Sequence, residues 1–201
     1  MDWGRFAQQM ASMARDLLAQ DSLAATLERI TASATELVDG CDAAGILGEG
    51  PCFDAAHSSH GERVFRISDL TSEQQRWPAY APQAHKLGLG SMMGFLLFTE
   101  DEDLGALNLY SRRPGAFTTT SETAGVLLAS HAAVAFSAAR THAQMEQAVA
   151  TRHIIGEAMG ILMDARHLTE DQAFAVLRRY SQEHNIKLRE VARRVCESGT
   201  V

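Results

Sequence analysis

The chain has 201 residues, 46% of them hydrophobic and 21% charged, with a formal net charge of −7. That length accommodates one medium domain plus a small helical one, and the balance is that of a folded, soluble chain. An acidic protein does not bind a polyanion by bulk attraction, so any nucleic-acid partner would have to be held by a local patch. The charge is unevenly placed: residues 1–150 carry 10 Lys/Arg against 18 Asp/Glu, a net of −8, whereas residues 151–201 carry 8 against 7, a net of +1.

The amino terminus starts acidic and leads into an amphipathic segment, unlike a secretory leader. The longest apolar stretch, around Gly94–Phe98, has the length of a strand, not a membrane span. Cys41, Cys52 and Cys196 are odd in number and lack metal-ligand spacing, which suits a reducing compartment. A cytoplasmic protein with no membrane partner is expected.

In chain order, Phe6–Leu18 predicts a helix with Phe6, Met10, Met13, Ala14 and Leu17 on one side. Asp21 is a candidate cap for a second helix to about Val38, with an apolar stripe of Leu23, Leu27, Ile30 and Leu37. Gly40–Ile46 reads as a turn into a first strand, followed by a Gly/Pro-rich bend at Leu47–Cys52 and a short segment to Ala56. Arg63–Ile67 alternates as a strand does. Pro78 and Pro82 bracket an aromatic stretch with Trp77 and Tyr80, and Pro82 can open a helix toward Leu87. Ser91–Glu100 and Leu104–Ser111 are the clearest strands, joined by an acidic tip at Asp101–Asp103 that reads as a solvated turn. Strands bounded by helices on both sides make an α+β domain whose sheet is antiparallel at least in its second half.

Thr119-x-x-Glu122 matches a capping box. A helix is predicted from there to about Met163, roughly 65 Å at about 1.5 Å per residue. Its first half is apolar enough to cover a sheet. In its second half Ala148, Arg152, Ile155, Met159 and Leu162 alternate at the coiled-coil interval, with Arg152 interrupting the seam; a linker helix and a dimer spine both fit. Thr169 and Gln172 form another capping box. The helix after it places Ala173, Phe174, Leu177 and Ser181 on one face, and His184-Asn185 ends it. Leu188, Val191, Ala192 and Val195 form the inner face of a last short helix. So small a tail cannot bury much core alone, so the two short helices should fold against the end of the long one.

Outside those faces lie Arg178, Arg179, Gln182, Asn185, Lys187, Arg189, Arg193 and Arg194. Arginine grips phosphate through a planar fork of donors. Gln and Asn can read a base edge, and Tyr180 could stack on an unpaired base. Glu183, Glu190 and Glu197 are interspersed, as on an ordinary solvated helix face.

Ile155-Gly156-x-Ala158-x-Gly160-Ile161-Leu162-Met163, then Thr169-x-x-x-Ala173-Phe174-x-x-Leu177-Arg178, then Ser181-Gln182-x-x-Asn185-x-Lys187-Leu188-Arg189-x-Val191-Ala192 together resemble the ANTAR domain over about residues 143–198. The resemblance implies a three-helix module that binds paired hairpins in nascent RNA, stabilises them against terminator formation and so acts on the transcription machinery indirectly. The contact residues it implies are Arg152, Arg178, Ser181, Gln182, Asn185, Lys187 and Arg189, with the outward-facing Arg193 added. Arginine and lysine would position phosphates, and Asn185 and Gln182 would sense bases. Ser181 also reads as a local cap or packing residue, and Phe174 and Leu177 read as core. Met159 departs from the pattern, since many members carry lysine there.

Residues 20–140 resemble a GAF domain, a sensory α+β fold with a central antiparallel sheet. The resemblance is carried by Leu47-Gly48-Glu49-Gly50-Pro51-Cys52, Trp77-Pro78 and Leu104-Gly105-Ala106-Leu107-Asn108-Leu109-Tyr110-Ser111. It implies a pocket for a small-molecule ligand, here unidentified; no cofactor is assigned. The expected organisation is an N-terminal helix over 1–20 able to make a dimer contact, a GAF-like domain over 21–140, and an ANTAR-like domain over 141–201 joined through the long helix. One departure stands out. Such a domain is expected to hold a further strand and loop, roughly twenty to thirty residues, between Ile46 and Leu47, where none stands.

His57 and His60 beside Cys52 and Asp54 invite a metal, but nothing fixes them to converge, and no metal site or haem ligand is assigned. His131, on the apolar half of the long helix, is expected to be satisfied locally or at an interface. Ser58 and Ser59 lack a nucleophile elbow, no carboxylate pair has reason to converge, and Gly88-Leu89-Gly90 is too short for a phosphate loop. The chain reads as no enzyme. It reads as an RNA-binding antitermination regulator that works as a homodimer through helices. The rivals are a sensor whose tail binds another protein and a DNA-binding regulator.

Overall fold

The computed structural model describes residues 3–47, 63–70, 81–100 and 102–200. The chain divides into two compact units, Met1–Thr141 and His142–Val201. In the first, helices α1 (Trp3–Leu18) and α2 (Leu23–Leu37) precede β1 (Ala43–Leu47), β2 (Val64–Ile67), α3 (Ala81–Lys86), β3 (Ser91–Phe98) and β4 (Asp103–Ser111). The four strands form one antiparallel sheet in the order β1-β4-β3-β2. β1 runs through Ile46 and Leu47, with Ile46 opposite Leu107 and Leu47 opposite Ala106.

Strand side chains alternate between faces, so each side of the sheet has its own core. Met93, Phe95, Leu107 and Leu109 face one way and are buried with Phe6, Met10, Met13 and Leu17 of α1, Ile30 and Ala34 of α2, and Leu128 and Ala132 further along the chain. Met92 and Ala106 face the other way and are buried with Ile67, Leu70 and Ala84, with Phe65, Leu89 and Tyr110 packed around them. The apolar face foreseen for α1 is thus occupied by this core.

Two caps sit one residue away from where the sequence put them. At α2 the cap is Ser22, not Asp21: Ser22 Oγ accepts from the Ala25 amide at 3.1 Å. At the long helix α4 (Thr119–Arg166) the pair is Thr118 and Ser121. Ser121 Oγ accepts from the Thr118 amide at 3.1 Å and Thr118 Oγ1 from the Ser121 amide at 3.3 Å. Serine does here what the capping box usually assigns to Glu or Gln. Glu122 instead lies 3.7 Å from Arg66 on β2. The acidic tip is also more tied down than a solvated turn. Glu102 forms an ion pair with Arg140 at 3.0 Å and accepts from Ser137 Oγ at 3.3 Å, both on α4.

The 48-residue α4 passes from the first unit into the second. By length and composition it could cross a membrane, but Leu128, Ala132 and Ala135 in its first half are buried in the core beside the sheet. In the second unit, α5 (Glu170–His184) and α6 (Leu188–Ser198) close against the end of α4. Ala158, Leu162, Ala173, Leu177, Val191, Ala192 and Val195 are fully buried, with Ile155 and Met159 packed against them. The carboxy-terminal half of the foreseen coiled-coil seam is therefore used within the chain. Phe174, expected inside, is 38% exposed; it follows Ala173 by about 100° around the helix, which turns it off the core face.

Candidate nucleic-acid interface

The α5–α6 turn organises the candidate residues. The capping box at the start of α5 forms as expected, with the Thr169 amide donating to Gln172 Oε1 at 2.9 Å and the Gln172 amide to Thr169 Oγ1 at 3.4 Å. At its end Asn185 adopts the left-handed conformation, φ 52 and ψ 42. Asparagine is among the few residues besides glycine that tolerate it. The turn is then locked twice: the Ile186 amide donates to Ser181 O at 3.0 Å, and Ser181 Oγ donates to Ile186 O at 2.6 Å. Ser181 is half-buried, so its first role is to fix this turn.

Arg178 and Gln182, four residues apart, share the flank of α5 beside Ser181, and Asn185 caps the end of that helix. All three are exposed, as is Lys187, which begins α6 with no side-chain capping bond. This strip of cation, two carboxamides and a second cation can pair with phosphate oxygens and hydrogen-bonding base edges at once.

The rest is placed differently. Arg189 is only half-exposed, not free as expected: its Nε is buried, 3.3 Å from Glu190 Oε1 but without the alignment of a hydrogen bond. Glu190 also accepts from Arg193 at 2.7 Å, so one carboxylate holds both arginines. Arg152 is exposed on α4. It lies two residues before Ile154, whose carbonyl accepts from Cys196 Sγ at 3.7 Å. Arg152 therefore belongs with the far end of α6, about 12 Å of helix away from the turn.

Tyr180 is not free to stack on a base with both faces. His184 stacks on it with ring centroids 4.0 Å apart, and His184 Nδ1 lies 3.0 Å from Tyr180 O. Tyr180 also borders a groove of about 370 Å³ with Val191, Arg194, Glu197, Ser198 and Thr200. Arg194 was left out of the sequence-derived set; its place on the opposite flank of α6 from Arg189 was legible from helical spacing, but not that Tyr180 faces it.

In the first unit, burial pushes the Cys41 thiol up to about 11, which keeps it protonated and unreactive near neutral pH. Among the described residues no group of three His, Cys, Asp or Glu is placed to hold a metal. Cys52, Asp54, His57, Ser58, Ser59 and His60, together with Trp77, Pro78 and Tyr80, lie outside the described residues. His131 is exposed. An open groove of about 370 Å³ lies between β2, β3 and α4, with Arg63 stacked over the Phe98 ring at 3.7 Å.

The GAF domain profile matches residues 6–137, and the ANTAR domain profile matches residues 143–195. The chain belongs to the GAF family and carries an ANTAR domain after the GAF domain. No curated protein matches it. Among solved structures, it is similar to the GAF domain of a phosphoenolpyruvate-protein phosphotransferase from Coxiella burnetii, at 17% identity and TM-score 0.54, covering 72% of this chain and 99% of that one. It is also similar to the photosensory core module of a Stigmatella aurantiaca phytochrome, at 12% identity and TM-score 0.62, covering 87% of this chain and 44% of that one. The chromophore-binding domain of an unusual bacteriophytochrome from R. palustris matches at 9% identity and TM-score 0.53, covering 69% of this chain and 62% of that one. At these identities the likeness shows the fold. The GAF–ANTAR architecture joins two regulatory, non-catalytic domain types, one associated with sensing and the other with RNA-binding regulation.

Proposed function

We propose that this GAF–ANTAR chain is a cytoplasmic transcription antitermination regulator that binds paired hairpins in nascent transcripts under control of its sensory domain. The observation that carries the reading is the exposed strip Arg178, Gln182, Asn185 and Lys187, held by the Ser181–Ile186 lock on a module that matches the ANTAR profile. Arg178 and Lys187 neutralise phosphates while Gln182 and Asn185 contact bases in the loops. Arg189 and Arg193 approach the same RNA once Glu190 releases them, and Arg152 extends the contact along α4.

The working form is a homodimer. On α4, Leu127 and Val134 stand seven residues apart and are exposed, and further along Met145 and Val149 are 63% and 66% exposed. Seven-residue spacing is that of helices pairing along a seam, and two linked modules engage two hairpins with a gain in avidity. The input at the sensory domain changes how the helices pair, which alters the display of the two modules.

Fluorescence titration of the full chain with a two-hairpin RNA, a single hairpin and duplex DNA tests the reading. The two-hairpin RNA should bind tightest. Lys187→Ala should weaken every RNA and reduce the salt slope by about one, with an unchanged circular dichroism spectrum. Tighter binding to duplex DNA would identify a DNA regulator. No RNA binding even at low salt would leave the tail as a protein-binding surface.

A further inference from the structure

Arg189 and Arg193 stand one helical turn apart on α6 and share a flank of that helix. Like charges at that spacing repel, and one carboxylate serves both. Glu190 Oε2 accepts from Arg193 Nη1 at 2.7 Å, while Oε1 lies 3.3 Å from Arg189 Nε. The second contact is poorly made: Arg189 Nε is buried and has no hydrogen bond. An unmatched buried donor is unfavourable, the more so on a charged group.

The position of Glu190 adds to the pattern. It is the third residue of α6, where a glutamate often reaches back to the cap amide; here its carboxylate turns to the two arginines. The first turn also carries the positive end of the helix dipole. Two guanidiniums beside that end make a place that favours an anion, and Glu190 fills it. A phosphodiester presents the same two-pronged form, two oxygens on one atom, and binds guanidinium through charge-assisted hydrogen bonds. Its oxygens stand further apart than those of a carboxylate, which suits two separate guanidiniums. All three side chains are partly exposed, so solvent screens the existing pairs and an incoming phosphate can displace them.

We propose that Arg189 and Arg193 form a single phosphodiester site, and that Glu190 is its built-in occupant, which a phosphate of the RNA must displace. Glu190 thereby holds the RNA affinity of the module below what its arginines allow. This rests on the RNA reading of the second unit and deepens it: contact at Arg178 and Lys187 displaces no carboxylate, whereas contact on α6 does.

The test titrates the full chain with two-hairpin RNA and compares the parent with Glu190→Gln, Glu190→Asp and Glu197→Gln. Glu197 is exposed on the same helix and forms no ion pair among the described residues, so its substitution removes the same charge without freeing an arginine. Glu190→Gln should bind RNA roughly fivefold more tightly, the scale of two exposed ion pairs. Glu197→Gln should gain less than about twofold by bulk charge alone. Glu190→Asp keeps the charge but is too short to serve both arginines, and should show part of the gain. Adding Arg189→Ala or Arg193→Ala to Glu190→Gln should erase it, with circular dichroism spectra unchanged throughout. Equal gains at Glu190 and Glu197, or a gain that survives the loss of either arginine, would overturn the proposal. Parent binding with no gain in Glu190→Gln would overturn it while leaving the RNA reading in place; no RNA binding by any variant would overturn both.

Discussion

The two units treat their polar side chains in opposite ways. In the first, Thr26, Ser33, Ser91, Asn108, Ser111 and Ser121 are buried. Three of these tie distant segments together: Ser91 Oγ donates to Arg113 O at 2.7 Å, Ser111 Oγ to Asp42 Oδ2 at 3.0 Å and Ser121 Oγ to Asp39 O at 2.9 Å. In the second, the fully buried side chains among the described residues are all aliphatic, and the polar and basic groups lie at least partly outside, Arg189 burying its Nε. The first unit's buried hydroxyls thus brace its fold from within. An interior of plain hydrocarbon supports a surface meant to be read from outside.

The contrast is broken most easily from the second unit, because it is small. A unit of 60 residues has little burial to spare, and Leu177 is fully buried at the meeting of its helices. Leu177→Ala should cost about 3 kcal/mol and unfold the RNA-binding module first. Thermal melting followed by circular dichroism would then show two transitions in place of the parent profile, with RNA binding lost at the temperature of the lower one. A single shifted transition would mean that the units melt as one, and the contrast between their cores would not extend to their stability.

The next largest effect probes the first unit. Gly125 on α4 lies so close to the sheet that a Cβ there would clash with the Phe95 ring. Phe95 is itself 1% exposed, so the ring has nowhere to go. Although alanine is the better helix former, Gly125→Ala should destabilise by about 2 kcal/mol through overpacking. The same two-transition melt should show this loss in the first unit alone.

These two residues also show what the sequence could and could not reveal. Leu177 was legible as core because its spacing from Ala173 marks a helix face, and the antiparallel pair β3–β4 was legible from two apolar runs around an acidic turn. Both signals are local. Gly125 gave no such signal, since its reason lies in a contact with Phe95, thirty residues earlier in the chain. Ser22 and Thr118 escaped for a related reason: adjacent residues could both cap, and only the backbone decides between them. Phe174 was misplaced because a helix with two neighbours buries a narrower face than its apolar residues suggest. At the interface, residue types pointed to Arg178, Gln182, Asn185 and Lys187. The capture of Arg189 and Arg193 by Glu190, and of Tyr180 by His184, depends on side-chain conformations that spacing does not fix.

The smallest expected effect sharpens the comparison through pH. Asp42 sits at the start of β1, where its Oδ2 accepts from the Arg112 amide at 2.7 Å and from Ser111 Oγ at 3.0 Å. The Arg112 amide first, then the Ser111 hydroxyl, hold its carboxyl below the ordinary value of 3.8. A depressed folded-state pKa stabilises above the unfolded value, and that contribution disappears as pH falls through the folded one. The first unit should therefore lose stability on its acid limb below about pH 4. Because Asp42 is exposed to solvent, the loss should be slight. Asp42→Asn should flatten that part of the acid limb in urea titrations of the first transition, while the second transition keeps its profile. An acid limb unchanged by the substitution would remove Asp42 as the tie between β1 and the end of β4, leaving Ser91 and Ser121 as the first unit's buried ties between distant segments.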